Sequence, residues 1–279
     1  MIVILNTADF SSQNIGKIDR PNVINQFTLD AVAASGNTDI NSEKLNALNN
    51  FFKKVGAFGA QSELWNNVKI AFLPMLAADL SHCLVDYTDN TTPVIPESAY
   101  YELKDGGMHG LATSNNYVQR NAFDSAKIVN NDNFTIISLA SECNCDILTI
   151  GSGGKDVVFT CTRSSVGDQN YIVSNYATPI LNTGVYQSYI NQRSLAVNSD
   201  AVLVGNGLSK ITLNFSASPV FEPSGGLLKY LVMQKAAGTS LASNGSLKAL
   251  FICNKMSAAE MLQFCNELDA LNDVFLMND

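Results

Sequence analysis

The sequence predicts a mainly β protein, and three observations lead to this prediction. Short apolar stretches recur through the second half of the chain, such as FTIISLA at 134–140 and KALFICN at 248–254. Sequences rich in Gly, Asn and Asp, which favour turns, separate them, for example GSGG at 151–154. Helical periodicity is confined to regions near the two ends of the chain. Many short strands with few helices are typical of an all-β sandwich or jelly roll.

Composition excludes several classes of protein. A chain of 279 residues, 46% of them hydrophobic, can bury a sizeable core in one large β-domain or two small ones. The formal net charge is −8 and the basic residues are scattered, so we expect no nucleic-acid partner. No stretch approaches the ~20 apolar residues of a membrane-spanning helix, and no secretory signal is evident, so we expect no membrane partner. We interpret the six cysteines as free thiols.

Residues 1–36 show no helical period, and we predict that they form an arm. Residues 2–5 could pair as one strand, while Gly16, Pro21 and Gly36 interrupt the rest of the segment. The apolar side chains that we expect to anchor this arm on a neighbouring protein are Ile2, Ile4, Phe10, Ile15 and Ile18.

Residues 37–74 are predicted to be a helical segment. Asn41 or Ser42 can cap a first helix, which Gly56 ends, and a second helix is predicted over residues 62–72. The first helix carries an apolar stripe that suits packing against the β-domain or contact with another copy of the chain. The stripe consists of Leu45, Leu48, Phe52 and Val55.

Residues 75–279 are predicted to form the β-sandwich domain, which includes a terminal amphipathic helix. Ser257 and Glu260 have the spacing of a capping box at the start of this helix. Its apolar positions are Met261, Leu262, Cys265, Leu268 and Leu271 or Asn272. The predicted strands are 134–140, 145–151, 156–162, 170–176, 184–190, 200–206, 211–217 and 248–254.

The residues that most catalytic and metal sites require are scarce. His82 and His109 are the two histidines, and His82 lies beside Cys83 without a CxxC or HxxxH pattern. We interpret both histidines as packed or surface residues. The sequence therefore predicts no enzyme, no metal and no cofactor.

Four further patterns have an ordinary structural interpretation. CNC at 143–145 fits a turn, and GSGGKD at 151–156 fits a hairpin turn, because it lacks the first Gly of a phosphate loop. Glu267 and Asp269 fit the solvated face of a helix, since no third acid accompanies them. The tyrosines could stack on sugars, but they also suit half-buried strands.

The order of the segments resembles virion proteins of tailed phages, notably crAss-like and related phages of gut Bacteroidota. TDINSEKLNALNNFFKKVGAF is followed by LWNNVKIAFLPMLAADLSHCLVDYTD, then by DNFTIISLA and GNGLSKITLNFSA, and finally by LKALFICNKMSAAEMLQFCNELDALN. In those proteins a helical segment with a W..(V/L)..(L/F)(Y/L)P phrase precedes a concanavalin A-like (LamG-type) jelly roll. Here the phrase is Trp65-Asn-Asn-Val68 with Phe72-Leu73-Pro74. The resemblance covers roughly residues 38–275, and DFSSQNIGKI at 9–18 resembles the opening of other structural proteins of these phages.

The resemblance implies a capsid head fibre or decoration protein, located in virions assembled in the host bacterial cytoplasm. The alternative is a tail-associated or host-glycan-binding, lectin-like adhesin module. The expected partners are other virion proteins and copies of the same chain in a dimer or trimer, with a surface glycan as a further option. The resemblance implies no catalytic residue and no lectin metal ligand.

Overall fold

The computed structural model confirms a mainly β chain with antiparallel sheets and flanking helices. It describes residues 23–59, 62–92, 95–99, 101–111, 127, 134–141, 145–151, 157–163, 169–175, 178–182, 194–198, 202–204, 209–211, 229–232 and 246–277. The α-helices within these ranges are α1 (Gln26–Ala34), α2 (Ser42–Val55) and α3 (Ala258–Leu276). Single 3₁₀ turns occupy Leu64–Asn67, Pro74–Leu76 and Leu80–His82.

The described strands form two antiparallel sheets. The strands are β1 (Val68–Phe72), β2 (Tyr101–Lys104), β3 (Gly107–Gly110), β4 (Phe134–Ser141), β5 (Cys145–Gly151), β6 (Val157–Arg163), β7 (Gln169–Asn175), β8 (Thr178–Asn182), β9 (Ser194–Val197), β10 (Val202–Val204), β11 (Ser209–Ile211), β12 (Lys229–Val232) and β13 (Ser246–Asn254). One sheet has the order β11-β10-β9-β4-β13-β3-β2, with β1 also paired to β13. The other has the order β12-β5-β6-β7-β8.

Strand β13 lies at the centre of the first sheet. It pairs with β4 along its whole length on one edge, and with β3 and then β1 on the other. Every β13 residue except Asn254 is buried. A strand that is buried on both faces needs a nearly continuous apolar sequence, and LKALFIC at 247–253 supplies it.

A β-bulge interrupts this strand at Lys248. Leu247 pairs with Ala140, whereas Ala249 pairs with Leu139, so β13 has one residue more than β4 between these pairs. The extra residue is Lys248. Such a bulge changes the direction of the side chain that it carries.

The helices pack on one face of this sheet through a cluster of aromatic rings. Phe251 of β13 lies 4.8 Å from Phe264 of α3, and Phe264 lies 5.8 Å from Phe51 of α2, measured between ring centroids. Trp65 contacts Phe52 at 5.5 Å. Edge-to-face pairs of this kind add about 0.5–1.5 kcal/mol beyond the area that they bury.

The ends of the helices obey the usual capping rules. The Asn41 side chain accepts a hydrogen bond from Lys44 N at the start of α2. Gly56 ends this helix in the left-handed conformation, with φ 85°. The predicted capping box of α3 is confirmed, because Ser257 and Glu260 each bind the other's backbone N–H.

Two predictions about the first 74 residues are wrong. Helix α1 lies inside the segment predicted to be an arm without helix. It was hard to detect because its buried residues include Thr28 and Ala31 instead of a large apolar stripe. Residues 62–72 are not a second helix: after one 3₁₀ turn, Val68–Phe72 is strand β1. Pairing with the edge of β13 overrides the helical spacing there.

Most of the strand predictions that fall on described residues are confirmed. The 145–151 and 134–140 predictions coincide with β5 and β4 to within one residue, and 248–254 lies within β13. The 184–190 prediction lies outside the described residues, as does most of 211–217.

Replacing Gly56 with Ala should destabilise the chain by about 2–4 kcal/mol, since a Cβ there would lie 1.9 Å from the Ser62 carbonyl oxygen. Gly59→Ala is the matched control: its φ is also positive, at 78°, but no atom lies within 4 Å of the new Cβ. We expect about 1 kcal/mol for this control. Urea unfolding measures both, and equal losses would contradict the packing at Gly56.

Candidate functional site

A polar cleft of about 240 Å³ lies where the loop after α1, the start of α2, the end of α3 and strand β13 meet. Its polar lining includes Asp39, Lys44, Lys248 and Asn272. Ile40, Met75 and Phe275 supply apolar surface to the wall. The site therefore combines two ammonium groups, one carboxylate and the amides of Asn37 and Asn272 with an aromatic ring.

Each wall of the cleft is positioned by a different local feature. The Asn37 side chain fixes the loop that carries Asp39: its Oδ1 accepts from Asp39 N at 3.0 Å and its Nδ2 donates to Leu76 O at 3.2 Å. Lys44 lies in the first turn of α2, with Nζ 5.2 Å from the centroid of the Phe275 ring. This is a cation–π distance.

The charged side chains that line the cleft differ in their exposure to solvent. Lys248 is only 4% exposed, whereas Asp39 is exposed to solvent. Water screens an exposed carboxylate more strongly than a buried ammonium group.

A second polar cluster surrounds Asp86 at the edge of β1. Asp86 Oδ1 accepts hydrogen bonds from Ala71 N at 3.1 Å and from Thr88 N and Oγ1 at 3.1 and 2.8 Å. Lys127 Nζ contacts Asp86 Oδ2 at 2.5 Å and Asp89 Oδ2 at 2.7 Å. The carboxylate of Asp86 takes the place of a backbone acceptor for β1, so this cluster has a structural role.

The charges of this cluster shift pKa values in the direction expected of an ion pair. Burial acts to raise the pKa of Asp89, but hydrogen bonds from Lys127 and Thr91 outweigh it, and the pKa is lowered. Burial acts to lower the pKa of Lys127, but its hydrogen bonds to Asp86 and Asp89 outweigh it, and the pKa is raised. Both groups are therefore held in their charged forms.

Asp79, Ser81 and His82 lie together without forming a catalytic triad. His82 Nδ1 is 2.8 Å from Asp79 Oδ1 and 3.2 Å from Ser81 Oγ. Serine and aspartate thus contact the same ring nitrogen, whereas proton relay needs one on each nitrogen. Hydrogen bonds from Ser81 and then His82 lower the pKa of Asp79, which caps the 3₁₀ turn.

The three cysteines whose side chains are described are free and buried. Burial raises the pKa of Cys83 and of Cys265 to about 12 in each case. Burial also raises the pKa of Cys253. The thiolate is the nucleophile in cysteine chemistry, so these thiols are inert.

The structure places most of the predicted α2 stripe in the chain's own core. Leu48, Phe52 and Val55 are fully buried there, and Leu45 is half-buried. The residues proposed to anchor the arm lie outside the described residues. They are Ile2, Ile4, Phe10, Ile15 and Ile18.

The solvated helix face predicted at Glu267 and Asp269 is wrong for Asp269. This carboxylate is buried and accepts a hydrogen bond from Ser194 N at 2.6 Å. The bond connects α3 to the start of β9. Glu267 forms a surface ion pair with Lys54 at 2.8 Å. Sequence reasoning also missed the cleft, although a lysine inside the apolar run LKALFIC was a visible signal.

Neither a metal centre nor a membrane helix emerges from the part of the chain that the structure describes. No group of three or more His, Cys, Asp or Glu side chains in these ranges could hold a metal ion. No helix among the described residues is long and apolar enough to cross a membrane.

The described residues form a mainly β chain with antiparallel sheets, flanking helices and a small polar cleft. No protein-family model and no curated protein matches the chain. It is similar to solved structures at low identity. A Trypanosoma rangeli sialidase in complex with 2,3-difluorosialic acid is 12% identical, with a TM-score of 0.38, over 50% of this chain and 24% of that chain. A Ruminococcus gnavus IT-sialidase CBM40 bound to α2,6 sialyllactose is 17% identical, with a TM-score of 0.39, over 57% of this chain and 97% of that chain.

This chain thus spans about a quarter of the length of the Trypanosoma sialidase. At these TM-scores the similarity does not establish a shared site.

Replacing Lys127 with Met should lower the free energy of unfolding by about 3 kcal/mol at neutral pH, because it leaves the buried Asp86 carboxylate without its ammonium partner. Lys53→Met, on the exposed face of α2, should change it by less than about 0.5 kcal/mol. Urea unfolding measures both variants.

The deficit of Lys127→Met should also depend on pH. Asp89 contributes stability above its ordinary pKa of 3.8 and loses it as pH falls through the lowered pKa of the folded state. The difference between wild type and Lys127→Met should therefore shrink below about pH 3.8. A difference that is constant with pH would contradict the contribution of this ion pair.

Proposed function

We propose that the chain is a non-catalytic structural protein of a tailed-phage virion. In this proposal it is a capsid head fibre or decoration protein, anchored by its N-terminal arm and projecting a concanavalin A-like jelly roll. In the particle it forms a homo-oligomer, because most protein oligomers are symmetric assemblies of identical chains.

The observation that carries this proposal is that the segments resembling phage proteins correspond to elements that pack together in the fold. The phrases at 38–58, 64–89 and 247–272 contain α2, the Trp65 segment with β1, and most of β13 and of α3. These elements pack on one another: Trp65 lies 6.4 Å from Phe251, and Phe51 lies 6.2 Å from the same ring. The resemblance thus coincides with one folding core and not with scattered surface positions, which supports a shared architecture.

The proposal of a non-enzyme is supported by the chemistry of the described residues. The Asp79, Ser81 and His82 group uses a single ring nitrogen. The described thiols are buried with raised pKa values. Neither arrangement provides an activated nucleophile.

Deleting residues 1–20 should abolish incorporation into particles and leave the domain folded. The described core residues run from Ala31 to Phe275, and Phe27 packs against this core, so the deletion spares it. A strand or apolar arm can add to a neighbouring sheet through its backbone, and we expect its loss to remove attachment. The measurements are circular dichroism of the purified variant and mass spectrometry of particles assembled with it. Wild-type incorporation by the truncated chain would contradict the anchoring proposal.

The location of the chain tests the proposal as a whole. Mass spectrometry of purified particles, followed by electron microscopy with a labelled antibody, should find it on the head. Label on the tail would favour the adhesin alternative, and its absence from intact particles would contradict a virion role.

The cleft favours one second candidate, a host-glycan-binding adhesin module. Its cationic groups beside an aromatic ring can bind a polar ligand. A glycan array probed with the full chain tests this candidate. No binding at high protein concentration would count against it.

A further inference from the structure

We infer that Lys127 and Asp86 form an intramolecular isopeptide bond, which joins Lys127 Nζ to the side-chain carboxyl carbon of Asp86 and releases one water molecule. Asp89 transfers a proton in this condensation. The inference goes beyond the proposed virion role and does not depend on it, because the bond can be tested on the purified chain.

The amine and the carboxyl group are already in contact. Lys127 Nζ lies 2.5 Å from Asp86 Oδ2, although the two residues are 41 positions apart in the chain. Well-oriented groups in one molecule react as if one of them were present at about 10⁵–10⁸ M. Condensation of a free amine with a free acid is unfavourable in water, but this proximity and the burial of the Asp86 side chain favour it here.

The two oxygen atoms of Asp86 have different surroundings. Oδ1 accepts hydrogen bonds from Ala71 N at 3.1 Å, from Thr88 N at 3.1 Å and from Thr88 Oγ1 at 2.8 Å. These fixed donors can stabilise the negative charge that develops on Oδ1 when the carboxyl carbon is attacked. Oδ2 lies beside the attacking nitrogen and leaves as water. The resulting amide keeps Oδ1 as its carbonyl oxygen, so the hydrogen bond to β1 is retained.

Asp89 supplies the acid–base chemistry, because its Oδ2 lies 2.7 Å from Lys127 Nζ. First, one proton moves from the ammonium group to Asp86 Oδ2 along their contact, and the neutral amine attacks Asp86 Cγ. Asp89 then takes a second proton from the nitrogen and delivers it to Oδ2, which departs as water. One C–N bond forms, one C–O bond breaks, and Asp89 returns to its starting form. The balance needs no oxidant and no further reactant.

The ion pair is the state before reaction, and we expect the bond to form slowly. Burial acts to lower the pKa of Lys127, but its hydrogen bonds to Asp86 and Asp89 outweigh burial and raise the pKa. The neutral amine is therefore a minor form. The Asp86 side chain is 1% exposed, and burial lowers the cost of replacing two charged groups by two neutral ones. The stability differences expected for Lys127→Met refer to the chain before this bond forms.

The test is mass spectrometry of the full chain, intact and after trypsin digestion, before and after prolonged incubation at neutral pH. We expect a growing fraction of chains that are lighter by one water molecule. Trypsin cleaves after lysine and arginine but not after a lysine whose amine is an amide. Residues 70–104 should therefore be recovered joined to residues 121–155, and fragmentation should place the bond between Asp86 and Lys127.

Lys127→Arg is the matched variant, because the guanidinium group keeps the positive charge and its donors but does not lose a proton to become a nucleophile. It should keep its full mass. Asp89→Asn keeps an oxygen acceptor beside Lys127 but cannot carry the proton, so it should form the bond at least about tenfold more slowly. The more exposed ion pair of Lys54 and Glu267, at 2.8 Å, is an internal control and should be unlinked in the same digests.

Three results would overturn the inference. They are an unchanged mass of the wild-type chain after incubation, loss of water without the joined peptides, and equal loss of water by Lys127→Arg. The second and third would mean that another part of the chain dehydrates. Bond formation at the wild-type rate in Asp89→Asn would overturn the role of Asp89. None of these results bears on whether the chain is found in particles, so they are distinguishable from failure of the virion proposal.

Discussion

The described structure depends on the burial of strand β13. The strand is hydrogen-bonded along both edges, to β4 on one side and to β3 and β1 on the other. Its Phe251 meets the aromatic rings of α2 and α3, while Leu250 and Ile252 are buried as well. Segments from the two ends of the described chain therefore share one core, and neither can bury its apolar face without the other.

Buried polar side chains accept hydrogen bonds from backbone N–H groups in and beside these strands. The carboxylate of Asp86 accepts the Ala71 N–H, although Ala71 is in register with Phe251 of β13. The hydroxyl of Thr135 accepts from Met256 N at 2.8 Å, just after β13 ends. Asp269 does the same for Ser194 at the start of β9. Each of these groups satisfies a backbone donor that would otherwise be buried without an acceptor.

How much the sequence could predict differs between local and long-range features. The capping box at Ser257 and the apolar runs of β4, β5 and β13 are local signals, and they predicted the correct elements. Strand β1 depends on an edge of β13 that lies about 180 residues away in sequence, from Phe72 to Leu250, so its helical spacing was misleading. The short helix α1 has a weak apolar pattern, and long-range contacts hold it in place: Phe27 packs on Phe52 and Trp65, and Asn49 of α2 accepts hydrogen bonds from Asn25 N and Thr28 Oγ1.

The candidate site could not be predicted for the same reason. Lys44 and Lys248 are separated by most of the chain, and only the packing of α2 and α3 on β13 brings them to one cleft. The visible signal was a single lysine, Lys248, in an apolar strand. The bulge at this residue could not be read from the local sequence, because it arises from the pairing of β13 with β4. The local sequence of Lys44, in an amphipathic helix, predicts an ordinary surface residue.

Native-state hydrogen exchange tests the central role of β13 most directly. The account predicts that the amides of Leu250, Phe251 and Ile252 exchange only through global unfolding, with protection equal to the full free energy of unfolding. Helix α1, at the margin of the core, should open at lower free energy. Exchange from β13 that is faster than exchange from α1 would contradict the claim that this strand holds the described structure together.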